Sequence, residues 1–425
     1  MLLTISFYVV LYRTTKEKSR ESRQVTENTV GLYLNNIENS TIQWETTTKY
    51  NVALEGSFLK NRLQAGLDLY WHKTDNLLTT RELAYVSGMK RYWSNEGQLT
   101  NKGFEVHVNA ALINKKDWKW ELGATVGHYN NKLTELPNTE DNTIKMYKNV
   151  YDAANDSWSQ VQTGTIQGYT NSIYGDRNVL TGVGHAVGSF YGWQTDGVFA
   201  SDAEASTAST APGTNGYLLY PTGIAEDPYR NFQSGDVRFI DQNGDGVIDD
   251  NDKVVIGNPN PDIYGNIFTS LTWKNLRLDV NFKYSLGNDI YNFQRSILES
   301  ANTTYNQTTA VLRRWNYEGQ KTDMPKACYT DSEDWRNNER MSDRWIEDGS
   351  YLKLKNVRLT YKLPYSNSWL MGMKIWGEAN NLVTISKYLG TDPEFSCRNS
   401  VLYQGIDTGL IPNGRSFNIG LSLNL

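Results

Sequence analysis

Cysteine is almost missing. Cys328 and Cys397 are the two in 425 residues, which excludes a disulfide scaffold and a cysteine-rich metal protein. Long apolar runs are missing too: none reaches the ~18 to 20 residues a spanning helix requires, so a helical membrane protein is excluded. Positive charge is not in excess. The formal net charge is -5, which argues against nucleic-acid binding. What is plentiful is aromatic. Hydrophobic residues make up 39%, yet 12% are aromatic, with 13 Trp, 27 Tyr and 12 Phe. Few hydrophobes with many Tyr and Trp point to an all-β chain. The balance suits a transmembrane β-barrel, where alternate residues meet lipid.

Period-two alternation marks the strands. Leu276, Leu278, Val280, Phe282 and Tyr284 share one face against Arg277, Asp279, Asn281 and Lys283. The same pattern recurs in nine segments: 48–58, 62–73, 102–111, 117–128, 265–273, 276–286, 350–363, 372–384 and 414–425. The phase slips between Leu354 and Val357, as at a β-bulge. About ten residues at ~3.3 Å, tilted ~40°, rise about 25 Å, the height of an apolar band in an outer-membrane barrel.

The connections alternate. Tight turns at Lys60-Asn61, 114–117, Lys274-Asn275 and 364–371 separate long polar stretches at 74–101, 129–264, 287–349 and 385–413. Barrels place short turns in the periplasm and long loops outside. With that assignment the last strand runs downward and ends at the periplasmic side. Trp71, Trp118, Trp120, Trp273, Tyr284 and Trp376 lie near strand ends, where aromatic rings favour the membrane interface. Cys328 and Cys397 both fall in expected external loops and could pair. The expected class is therefore an antiparallel transmembrane β-barrel segment of about nine or ten strands with long external loops.

The start reads differently. Residues 2–12 are apolar and the charged run KEKSRESR follows them. A secretory signal carries its charge first and a small-residue cleavage site after. The segment reads as a strand remnant or as a start placed inside a larger gene.

The sharpest local motif is DQNGDGVIDDND, residues 241–252. It fits a calcium loop: Asp241, Asn243 and Asp245 offer oxygens, Gly246 permits the turn, Val247 offers its carbonyl, and Asp249 and Asp252 complete the set. All-oxygen ligands suit Ca²⁺ before Mg²⁺. The expected role is to stiffen an external loop. An Asp/Asn/Gly turn without metal is the plainer alternative.

Catalytic spacing is scarce. There is no H-E-x-x-H, G-x-S-x-G or P-loop. Ser57 to Lys60 spells S-x-x-K, but at a strand end where that motif needs a helix start. His72, His107, His128 and His185 do not cluster. No enzyme is expected. For substrate contact, Tyr191 and Trp193 in SFYGWQTDG are candidates, as rings able to stack on sugar faces, with loop packing as the alternative reading.

The stretch GDVRFIDQNGDGVIDDNDKVVIGNPNPDIYGNIFTSLTWKNLRLDVNFKYSLGNDIYN (235–292) resembles SusC/RagA-type TonB-linked outer-membrane transporters. So do NNIENSTIQWETTTKYNVALE, NEGQLTNKGFEVHVNA, VGSFYGWQTDGVFAS, RWIEDGSYLKLKNVRLTYKLP and WGEANNLVTISKYLGTDPE. Residues 1–25 fall outside the resemblance. Residues 26–425, with the external loop 129–264, correspond to the C-terminal part of such a receptor. The resemblance implies a 22-stranded barrel with an N-terminal plug, placed in the bacterial outer membrane. It implies glycan or peptide import with a SusD-like surface lipoprotein, driven by TonB through a part not present here. Read alone, the stretch is expected to be a fragment or the product of a broken gene, and not transport-competent by itself. The competing expectation is a calcium-stiffened surface binding or adhesion protein without transport.

Overall fold

The structure is a computed structural model that describes residues 2–13, 39–82, 91–174, 177–224, 227–330, 332, 335–364, 372–395 and 400–424. Ten strands form one antiparallel meander. They are β1 (Leu2–Arg13), β2 (Thr46–Phe58), β3 (Leu63–Glu82), β4 (Arg91–Asn114), β5 (Trp118–Glu135), β6 (Ile263–Trp273), β7 (Leu276–Leu286), β8 (Tyr351–Leu363), β9 (Gly372–Ser386) and β10 (Ser416–Asn424). Each pairs with its chain neighbour, so β1 and β10 are the two edges and the sheet does not close. The nine expected strands are all present. Leu2–Arg13 adds the tenth and pairs with β2 along its whole length.

The alternation separates two faces. Tyr50, Val52, Leu54, Leu69, Trp71, Leu122, Ile267, Leu359, Ile375 and Ile419 all point outward and stay exposed. A soluble monomer rarely tolerates so large an apolar patch; in a bilayer this face is the buried one. Trp118 and Trp273 meet at 5.9 Å by the short turns, and Tyr50 and Trp71 at 6.0 Å higher up. Trp71 is level with Lys102 and Asn130, about twelve residues along β5 from Trp118. At the usual rise and tilt that is ~30 Å, enough for an apolar band between two aromatic belts. Trp376 is an exception to its expected place. It faces inward, lies across Gly420, and carries Arg358 4.1 Å from its ring.

The inward face is polar and notched by glycine. Tyr70 lies across Gly103, His107 across Gly66, Phe268 across Gly123 and Tyr264 across Gly127, where a Cβ would fall 2.1–2.6 Å from the nearest ring or backbone atom. These aromatics cover glycines on neighbouring strands, a device that pins register. At the turn between β2 and β3, Leu59, Lys60 and Asn61 all take positive φ, which lets the chain reverse in so few residues. The expected bulge is found at Leu354/Asn356 against β9 and at Asn281/Phe282 against β7.

The long connections differ from plain loops. Residues 74–101 are largely strand, because β3 and β4 continue pairing above the membrane level to Glu82 and Arg91. Of the three long connections that follow β5, at 136–262, 287–350 and 387–415, the first carries a five-stranded sheet of Thr143–Asp152, Ser157–Tyr174, Arg177–Gly182, Ser189–Gly192 and Val254–Gly257. Its alternation is broken by Gly and Asn, which is why polarity alone reads it as loop. The three long connections also pack into one body. Trp193, Phe199, Phe232, Phe239 and Ile248 form one core. Val179, Phe190, Tyr291, Met341, Trp345 and Ile406 form another, with members from all three connections.

Candidate functional site

The 241–252 loop closes on itself. Asp241 accepts hydrogen bonds from the backbone N–H of Gly244 (2.7 Å), Asp245 (3.2 Å) and Gly246 (2.7 Å). Asn243 Oδ1 accepts from Asp245 N, and Asp245 Oδ1 from Val247 N. Asp249 and Asp252 bond each other's turn: Asp249 N donates to Asp252 Oδ2 at 2.9 Å, and Gln242 N donates to Asp252 Oδ1. Positive φ at Gly244 and Gly246 permits the winding. Two neighbours enter from the strand Thr143–Asp152. Asn149 donates from N and Nδ2 to Asp245 Oδ2, at 2.6 and 3.0 Å, and Lys148 Nζ donates to Asn243 O at 3.0 Å.

The loop is an electrostatic hot spot. Asp245 and Asp252 are buried. Burial pushes the Asp252 carboxyl up to about 8, against its backbone hydrogen bonds, and the charges of Asp241 and Asp249 add to the rise. Burial raises Asp245 as well. Val247 is buried, with its N–H bonded to Asp245. Among the described residues no three His, Cys, Asp or Glu side chains are grouped closely enough to hold a metal ion. The structure thus brings the six loop positions into one winding, with the side-chain acceptors of Asp241, Asn243, Asp245, Asp249 and Asp252 turned to backbone N–H groups.

Tyr191 and Trp193 are placed in the interior, at 4% and 5% exposure. Trp193 Nε1 donates to Asp249 O at 2.8 Å, which ties it under the acidic loop. Arg340 and Lys253 sit over its ring at 5.0 and 4.3 Å. These side chains pack the loop body and do not present rings to a passing substrate. Cys328 is a free thiol; Cys397 lies outside the described residues.

Comparison with known proteins decides the class. A profile described as TonB dependent receptor-like, beta-barrel, matches residues 11–220. TonB-dependent receptor P3 of Formosa agariphila is 29% identical over 401 residues, covering 92% of this chain and 35% of that protein. The chain is part of a TonB-dependent receptor β-barrel. TonB-dependent receptor SusC of Bacteroides thetaiotaomicron is 27% identical over 400 residues, covering 91% of this chain and 32% of SusC. The fold agrees with the RagAB peptide transporter at TM-score 0.66, with 20% identity over 99% of this chain and 40% of that one. Its open-open state gives TM-score 0.61 at 23% identity, covering 99% and 38%. The chain spans about a third of the length of these curated relatives. Its place is the outer membrane.

In this receptor segment the best-defined polar site escaped the sequence reading. Lys353 of β8 is 1% exposed, yet its Nζ bonds both Asp392 oxygens at 3.0 Å and Glu394 Oε2 at 2.8 Å. Lys283 and Lys355 also reach Glu394, at 2.7 and 3.0 Å. Asn413 adds two bonds to Asp392. Burial disfavours the Glu394 charge, but hydrogen bonds from the three lysines outweigh it and hold the carboxyl down at about 2. The one available signal was the inward phase of Lys283 and Lys353, which placed two cations on a face with no partner in either strand.

Proposed function

We propose that this segment forms the C-terminal wall and external body of a TonB-dependent importer for large nutrients, glycans or peptides. A SusD-like surface lipoprotein is the expected lid. TonB energises the transporter through the remainder of the receptor. The reading is of a transporter, not an enzyme.

The observation that carries it is the two-faced sheet. An apolar exterior between aromatic belts suits lipid, and a polar, glycine-notched interior suits a lumen. The relatives' names, TonB-dependent receptor and peptide transporter, support the same direction. The test is uptake of labelled oligosaccharide and oligopeptide pools by cells carrying the full receptor gene. Uptake that disappears on deletion of the receptor or of TonB supports import. Equal uptake in all three strains contradicts it.

Calcium at 241–252 is a separate proposal. Each carboxylate oxygen has two lone pairs, so backbone N–H bonds leave acceptor capacity for a cation. A divalent ion would favour the charged form of Asp252, which burial and then the charges of Asp241 and Asp249 disfavour. Asp241, Asn243, Asp245, Val247 carbonyl, Asp249 and Asp252 would be its ligands, with a structural role. Titration of the folded chain with Ca²⁺ tests it. A saturable change lost in Asp241→Ala supports binding, and no change at millimolar Ca²⁺ removes it.

A further inference from the structure

Positive charge is concentrated at the short turns. Residues 59–62, 114–117, 274–275 and 362–374 hold seven Lys and Arg against one acid, Asp117, in a chain whose net charge is -5. The meander brings these stretches to one end of the sheet. Such a division sets up a positive field there. Arg62 is engaged in the wall itself. Its guanidinium donates to Ala111 O and to Leu112 O, at 3.1 and 2.7 Å.

Two of the turns meet mid-sheet, beside outward-facing rings. Lys274 N donates to Asp117 O at 2.8 Å, which joins the β4–β5 turn to the β6–β7 turn. Trp118 and Trp273 are register partners, and both rings are exposed on the outward face. Lys274 Nζ stands over the Trp273 ring at 5.6 Å, so its ammonium lies on that outward side. Lys115 and Lys116 are exposed in the adjoining turn, and Asp117 offsets one of the three charges. Four strands precede β5 in the sheet and four follow β6. Strands that extend the wall pair at the edges of β1 and β10, so they leave this outer surface uncovered.

Level and charge together select the occupant. Tryptophan rings favour the headgroup level of a bilayer, where lipid phosphates stand. A lysine ammonium is a point-charge partner for phosphate. A phosphatidylcholine headgroup brings its own cation to the lysines; an anionic headgroup does not. An acidic protein segment would meet the lysines and leave the two rings unused. We propose that the rim at Lys115, Lys116 and Lys274 binds the headgroup of an anionic phospholipid, its phosphate on the lysines and its acyl chains beside Trp118 and Trp273. The proposal rests on the membrane-wall part of the importer reading and is independent of cargo.

The test uses the full receptor, reconstituted at low salt in phosphatidylcholine vesicles. The probes are a diazirine-bearing phosphatidylglycerol and the matching phosphatidylcholine, with cross-links mapped to peptides by mass spectrometry. Phosphatidylglycerol should label the stretches around Trp118 and Trp273 about fivefold more than phosphatidylcholine, the attraction expected of a single lysine at a charged headgroup. The preference should fade in high salt. Val52 and Leu69, outward on β2 and β3, should take both probes equally. The triple variant Lys115→Gln/Lys116→Gln/Lys274→Gln should lose most of the preference. Lys132→Gln/Lys321→Gln/Lys387→Gln removes the same charge from exposed lysines toward the other end and should keep it. Each variant is first checked for the gel mobility shift of a folded barrel. Equal labelling by the two probes around Trp118 and Trp273, or a preference that both triple variants keep or both lose, overturns the proposal and leaves the membrane wall standing. Cross-links with neither probe anywhere on the outward face remove the wall reading, and the proposal with it.

Discussion

Lys353 of β8 points into the lumen and holds Asp392 of the third long connection, Nζ to both carboxylate oxygens at 3.0 Å. The wall of the barrel thereby fixes a segment of the external body from inside. A lysine buried this deeply is tolerated because its partners, Asp392 and Glu394, satisfy it completely.

Lys353→Met should therefore release the segment 387–395. Removing one partner of a buried pair costs about 3–5 kcal/mol; here Asp392 is left buried without its lysine, while Glu394 keeps Lys283 and Lys355. Limited proteolysis should show new cleavage in 387–395, with the strands unchanged. Replacing Asp392 by its amide in the same variant should restore much of the protection, since Glu394 still has Lys283 and Lys355.

Acid and alkali should act on different parts of the external body. Glu394 lies at about 2, below its ordinary 4.5. Its contribution is present above pH 4.5 and is lost as pH falls toward 2. Asp252 lies at about 8, above its ordinary 3.8. Its contribution is present below about pH 4 and is lost as pH rises to about 8. Hydrogen exchange, corrected for intrinsic rate, should show 387–395 opening in acid and 241–253 loosening toward pH 8. If the loop takes calcium, the ion should suppress the second change and not the first.

Glycine on the strands should divide sharply by surroundings. A Cβ at Gly265 would stand 1.9 Å from Thr125 O, which is backbone and cannot swing away. Gly265→Ala should loosen the β5–β6 seam by more than the 1–3 kcal/mol of ordinary overpacking. Gly377 has nothing within 4 Å, so Gly377→Ala should be silent. Comparing refolding yield and unfolding temperature of the two variants checks this.

The strands were legible because lipid on one side and polar lumen on the other impose a strict period of two. Leu276 to Tyr284 shows it without ambiguity, and the slip near Leu354 revealed the bulge in advance. The external body was not legible. Thr143–Asp152 and its neighbours pack mixed faces against other loops, so no single period survives. Tyr191 and Trp193 read in sequence as candidate binding rings or as loop packing, and the contacts that decide it for Trp193, with Arg340 and Asp249, come from more than fifty residues away. Lys353 and Asp392 meet across a connection, and sequence spacing carries no sign of that. The 241–252 winding was legible in its turns, since Gly244, Gly246 and the Asx acceptors act locally.

The central claim is that the ten-stranded sheet separates lipid from lumen. Cysteine scanning of β7 with nitroxide labels, in a chain whose Cys328 and Cys397 are replaced by serine, tests it most directly in lipid vesicles. Labels at Leu278, Val280 and Phe282 should be quenched by oxygen, and labels at Asp279, Asn281 and Lys283 by a water-soluble nickel chelate, in strict alternation. Equal access of the nickel chelate at all six positions would contradict a membrane wall.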